Sequence, residues 1–124
     1  ESMERGSDPR HVLVISSCVA RFGVPGVSAY SAAKAGQLGL VRSLAVELGG
    51  RGIRVNCVCP GMISTTFHDT FTKDEVRKNV AAGTPLRREG QATEVADLVA
   101  YLASPASSFL TGVSVDINGG MFFS

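Results

Sequence analysis

Three short segments limit what this chain can become: HVLVIS at 11–16, GIRVNCVCPG at 52–61 and GVSVDINGG at 112–120. Each is rich in apolar, β-branched residues with little alternation, and turn-forming residues bound it, so each reads as a buried strand. A continuously apolar strand suits a parallel sheet covered by helices on both faces. The intervening sequence supplies those helices. Ser28 to Leu48 is a long helical stretch, with Ser28 as its N-cap and Gly49-Gly50 as its stop. Leu38, Val41, Ala45 and Leu48 form an apolar stripe at helical spacing, widened by Leu40 and Leu44. The small residues Ala29, Ala32, Ala33, Ala35, Gly36 and Gly39 would admit close approach by another backbone. A shorter helix is expected from the capping-box spacing of TKDE at 72–75 to about Ala82. Another is expected over TEVADLVAYLAS at 93–104, capped by Thr93 and ended before Pro105.

The order strand, helix, strand, two helices, strand predicts part of an open α/β sheet, with right-handed crossovers placing helices on both faces. No internal repeat, low-complexity tract or linker interrupts it. With 124 residues, 44% of them hydrophobic, the chain holds one domain at most and enough apolar material for a core. A net charge of +1 without a basic run argues against nucleic acid or another polyanion as partner. No apolar stretch reaches membrane-spanning length, and no signal peptide precedes the first strand. The three cysteines, Cys18, Cys57 and Cys59, lie in or beside apolar segments. Cys57-Val58-Cys59 is too tight for a zinc knuckle and has no histidine near it, so no metal is expected. These thiols read as reduced core residues of a cytoplasmic protein. The opening ESMERGSDPR lacks an initiator methionine, and Gly6 looks like the end of a helix begun earlier, which suggests a piece of something longer.

In open α/β sheets, ligands bind beyond the carboxyl ends of the strands. ISSCVARFG follows the first strand there, and CPGMISTTF follows the second. SAYSAAKAG at 28–36, near the start of the long helix, places Tyr30 and Lys34 one turn apart on one face. That spacing alone suits an ordinary surface pair as well as a proton donor with its tuning charge. Ser17 at the exit of the first strand and the Pro60-Gly61 turn face the same edge of the sheet.

Taken together, VISS, YSAAK, GIRVNCVCPGMIST and TGVSVDINGG, in this order from about His11 to Phe122, resemble the classical short-chain dehydrogenase/reductase family. The resemblance implies a Rossmann-like doubly wound parallel sheet, here an incomplete three-strand C-terminal portion. It implies an NAD(P)-dependent oxidoreductase that interconverts a secondary alcohol and a ketone by hydride transfer, with NAD or NADP as cofactor. Tyr30 would be the general acid and base. Lys34 would stabilise the phenolate and hydrogen-bond the nicotinamide ribose, and Ser17 would bind the substrate oxygen. Pro60 and Gly61 would shape the turn beneath the nicotinamide ring, and Ile63 would offer its backbone to the carboxamide. Thr65 would bond the carboxamide or the pyrophosphate. Met62 and Phe67, with His68 and Phe71, would line a substrate pocket closed by the segment from Ser64 to about Leu86. His68 itself reads as a loop histidine and not a catalyst. Arg87-Arg88-Glu89 is open to two readings, a site for a substrate carboxylate or a solvated face. The family also implies a homo-oligomer, a tetramer or a dimer.

Several family features are missing from the sequence: the glycine-rich turn that holds the pyrophosphate, the residue that selects NAD or NADP, the NAG-type strand end and the helix asparagine of the catalytic set. Residues 1–124 are therefore expected to form the C-terminal catalytic half of a single Rossmann-fold domain, without its N-terminal cofactor-binding half. The competing reading is a catalytically idle fragment that acts only as an oligomer-assembly module.

Overall fold

The computed structural model describes residues 10–65 and 74–124. Gly6, Phe67, His68, Phe71 and the Thr72 cap lie outside the described residues. Three parallel strands form the sheet in the order β1 (Arg10–Ile15), β2 (Ile53–Pro60), β5 (Ser114–Ile117). The helices are α1 (Ser28–Leu48), α2 (Asp74–Gly83) and α3 (Ala92–Ala103). This is the expected α/β architecture with its three-strand portion of a parallel sheet.

Strand β2 occupies the centre, and its alternation divides the molecule into two layers. Ile53, Val55, Cys57 and Cys59 point to one side and form a core cluster with Leu38, Val41 and Ala45 of α1. Burying a side chain such as Val41 contributes about 1.5–3 kcal/mol. On the other side, Arg54 and Asn56 face α3 and the segment that follows it. Leu44 and Leu48 border the α1 cluster, whereas Leu40 lies on the outer face of the helix. The small residues from Ala29 to Gly39 are exposed, and nothing lies within 4 Å of a Cβ built at Gly36 or Gly39.

Helix ends depart from expectation by one residue or so. The N-cap of α1 is Val27, without a side-chain bond, so Ser28 is the first helical residue. Gly49 remains right-handed and continues into a 3-10 turn, Gly49–Arg51. The chain reverses at Gly52, whose φ of 74° is the left-handed conformation that favours glycine. Helix α3 is capped by Gln91 and not Thr93: Gln91 and Glu94 form a reciprocal capping box, and Thr93 lies inside the helix. Two strands escape sequence reading, β3 (Ile63–Ser64) and β4 (Gly90–Gln91). At two residues each they are too short to leave a periodic signal.

Candidate active site

Ser17 follows β1 in extended backbone and caps the 3-10 turn Cys18–Ala20. Its Oγ accepts the Val19 N–H at 3.3 Å, and its hydroxyl neighbours the Cys18 thiol. The residue before it ties strand to helix: Ser16 donates its N–H to Val58 O and its hydroxyl to Lys34 O, both at 2.8 Å. These bonds set the start of α1 against the carboxyl end of the sheet. Tyr30, half exposed, stands in the first turn of α1. Lys34 Nζ lies 5.7 Å from the centre of the Tyr30 ring and donates to Ile15 O at 3.3 Å. That distance is within the range of cation–π attraction. The lysine thus links the phenol to the strand end that leads into Ser17.

The next strand ends beside this one, with Ile15 paired to Val58 and Pro60 to Ile117. Gly61 N–H donates to Ile117 O at 2.9 Å, and a Cβ at Gly61 would stand 2.7 Å from Asn118 Cβ. Glycine is required by that close approach. Gly90 N–H donates to Met62 O at 2.9 Å as β3 pairs with β4 in parallel. In a parallel ladder that bond turns the peptide groups of Ile63 away from β4. Thr65 follows β3. A cleft of about 100 Å³ takes in Met62 and Ile63 with Leu86, Asn118 and Gly119, but none of Ser17, Tyr30 and Lys34 lines it.

The charges of Arg87-Arg88-Glu89 are engaged within the chain. Arg88 grips Glu94 at 2.6 and 2.9 Å, and Arg77 of α2 makes two bonds of 3.1 Å to Glu89. Arg87, in left-handed backbone, donates to Ala82 O at 2.6 Å. Arg87 and Arg88 are exposed, in keeping with the solvated-face reading, and through these bonds the run also clasps α2 to α3. The Arg88 bonds, with the Gln91 N–H, hold the Glu94 carboxyl down at about 2.

Sequence reading missed two polar networks. Arg54 donates to the carbonyls of Leu102, Ser104, Ser107 and Leu110 at 2.9–3.3 Å. Fully buried Asn56 donates to Leu110 O, accepts from Val113 N–H and stands 3.2 Å from His11 Nε2. Their signal was present as two polar residues at i and i+2 inside an apolar strand. The second network is Arg21 with Asp116, 95 residues apart, for which no local signal exists. Cys57 and Cys59 are buried in the α1-facing core, as expected. Their mutual contact lowers the Cys57 thiol and, with burial, drives that of Cys59 up. Among the described residues no group of three or more His, Cys, Asp or Glu could hold a metal ion, and no helix is long and apolar enough to cross a membrane.

The family profile described as enoyl-(acyl carrier protein) reductase matches residues 1–122. The 3-oxoacyl-[acyl-carrier-protein] reductase of Staphylococcus aureus is 42% identical over 111 residues, which cover 90% of this chain and 45% of the relative. This chain belongs to the short-chain dehydrogenase/reductase family. An uncharacterized short-chain type dehydrogenase/reductase of Sinorhizobium fredii is 46% identical over 99 residues, covering 80% of the chain and 39% of that protein. Among solved structures, a 3-oxoacyl-[acyl-carrier protein] reductase from Brucella melitensis matches with a TM-score of 0.88 at 36% identity, over 99% of this chain and 44% of the other. This short-chain dehydrogenase/reductase chain spans less than half the length of the curated relatives it matches.

Proposed function

We propose that this chain carries the catalytic side of an NAD(P)-dependent oxidoreductase interconverting a ketone and a secondary alcohol. What carries this conclusion is the placement of Lys34 Nζ 5.7 Å from the Tyr30 ring while it bonds the Ile15 carbonyl, at the strand exit leading to Ser17. Tyr30, with a half-exposed side chain, gives a proton to the substrate oxygen in reduction and takes it in oxidation. The ammonium of Lys34 offsets negative charge on the phenol oxygen once the proton has left. Ser17 donates its hydroxyl to the same substrate oxygen as charge builds there. Tyr30 and Ser17 serve one atom of the substrate, and Lys34 serves Tyr30.

The residues fit the nicotinamide end of a dinucleotide. The peptide groups of Ile63 point away from β4, and Gly61 brings the turn against Asn118 without a side chain between. Pro60, Gly61, Ile63 and Thr65, with Tyr30 and Lys34, would hold NAD or NADP there. The bound dinucleotide supplies or accepts the hydride. Ser17 and Met62 would hold substrate, and Phe67, the third residue expected to do so, lies outside the described residues. The names of the relatives support a 3-oxoacyl thioester as the first substrate to test. Three free thiols suit a reducing compartment such as the cytoplasm.

A second reading, an assembly module for a dimer or tetramer, is favoured by Leu40 and Val46 on the outer face of α1, the latter 84% exposed. Titration of the intact protein with NADH and NADPH, followed by nicotinamide fluorescence and then turnover of acetoacetyl thioester, separates the two. Saturable binding with turnover is expected. Self-association without any binding of either nucleotide would favour the assembly module.

A further inference from the structure

Ser17 sits in a turn with little structure of its own. The 3-10 turn closes through two bonds, Ala20 N–H to Ser17 O at 3.1 Å and Arg21 N–H to Cys18 O at 2.9 Å. Ser17 and Arg21 are therefore the two caps of a single three-residue turn, and what fixes one constrains the other. The stretch that follows, with Gly23, Pro25 and Gly26, offers little apolar packing before α1 begins, and nothing lies within 4 Å of a Cβ built at either glycine. The Ser16 bonds hold the approach to Ser17, but they leave the far side of the turn to other contacts.

Ala20 packs against the core cluster, and Arg21 supplies the polar contacts toward β5. Its Nε donates to Asp116 Oδ1 at 3.0 Å and its Nη2 to Ser114 O at 2.9 Å, so one guanidinium clasps two residues of β5. The two charged side chains are only 14% and 12% exposed. Withdrawn from water, the pair is weakly screened by salt, and its planar fork defines direction as well as distance. Phe22 extends the contact, its ring 5.6 Å from that of Phe122 beyond the end of β5.

We propose that Arg21 is a positioning residue for Ser17: by clasping Asp116 and the Ser114 carbonyl it holds the turn against β5, so that the Ser17 hydroxyl meets the substrate oxygen. The inference rests on the reading of Ser17 given above. It gives β5, the far strand of the sheet, a part in the geometry at the end of β1.

A double-mutant cycle in the intact protein, with acetoacetyl thioester and NADPH, tests it. Arg21→Ala is expected to lower kcat about ten- to a hundredfold, the order of loss that a small misplacement of a reacting group causes. The KM for nucleotide should not change. Arg21→Lys, which keeps a charge for Asp116 but loses the fork, should recover part of the rate. In a Ser17→Ala background, Arg21→Ala should cost nothing more, because the group it positions is gone. Losses that multiply in the double variant, or an unchanged kcat in Arg21→Ala, would overturn the inference. Amide exchange separates its failure from failure of the catalytic reading. Even in a protein without turnover, the Ala20 and Arg21 amides should exchange about tenfold faster in Arg21→Ala, with those of β2 unchanged. Unaltered exchange would overturn the clasp whatever the activity. If Arg21→Ala does not fold, Asp116→Asn carries the same cycle.

Discussion

Arg54 and Tyr30 are both polar residues on elements that build the core, yet their surroundings are opposite. Arg54 leaves β2 toward α3 and is engaged by four backbone carbonyls, with Asn56 beside it saturated in the same way. Tyr30 stands half exposed in the first turn of α1, approached by the Lys34 cation. A buried polar group without partners is costly, so the α3-facing network must satisfy its members within the chain. A phenol at a strand-end surface carries no such demand, and its hydrogen-bonding capacity is available to a substrate. One region holds the fold together, and the other, on the proposed function, presents groups to a reaction.

This contrast predicts different losses on each side. The largest is in rate: Tyr30→Phe should lower turnover of the intact protein by about 10²–10⁴-fold. Its unfolding free energy should change by no more than about 0.5 kcal/mol. Steady-state kinetics beside urea unfolding would check both, and near-normal turnover would break the assignment of the proton transfer. Arg54→Met should behave in the reverse sense. It strips a charged donor from four carbonyls and should cost about 3 kcal/mol of stability in urea unfolding, while the folded fraction keeps its kcat. A large loss of kcat per folded molecule would mean that the two regions are coupled.

His11 sharpens the same comparison. Asn56 Nδ2 donates to Leu110 O and toward His11 Nε2, so the ring nitrogen facing it must accept. Burial, and then the neighbouring Arg54 charge, lower the pKa of His11 from 6.5. The unfolded chain therefore binds this proton more readily than the folded one. The stabilisation is complete above pH 6.5 and is lost as pH falls through the lower folded value. Thermal melts of wild type and His11→Gln between pH 8 and 5 should converge as the pH falls, and parallel curves would remove His11 from the network. The smallest effect belongs to the exposed clasp. The Glu94 carboxyl, held at about 2 by Arg88 and the Gln91 N–H, supports α3 above the usual carboxylate range near 4.5 and loses that role as pH falls toward 2. A carboxyl titration by NMR should show the low midpoint, and Arg88→Ala should move it back up.

Much of the architecture was legible because it is written in local pattern. Apolar β-branched runs marked the three sheet strands, and the stripe through Leu38, Val41 and Ala45 marked α1 over its observed span. The Tyr30–Lys34 approach follows from helical spacing. Caps were less legible: Gln91 displaced Thr93 because Glu94 reaches back to the Gln91 N–H, a choice between neighbouring polar residues that propensity does not rank. The two-residue strands β3 and β4 depend on a partner 27 positions away, as Ile63 meets Gly90.

The order of the three sheet strands and three helices, the family motifs and the residues that stand at the carboxyl edge of the sheet were all present in the chain's own periodicities and motifs, since each depends on residues within a few turns or one short run. The fate of the charges was not. Which arginine pairs with Glu89, which is engaged by four carbonyls and which reaches Asp116 depends on strand register and crossover geometry, which bring together groups as much as 95 residues apart. Hydrophobic pattern places a side chain on a face, but a hydrogen bond or buried ion pair needs its partner within about 3 Å, and that distance is set by the packing of the whole sheet.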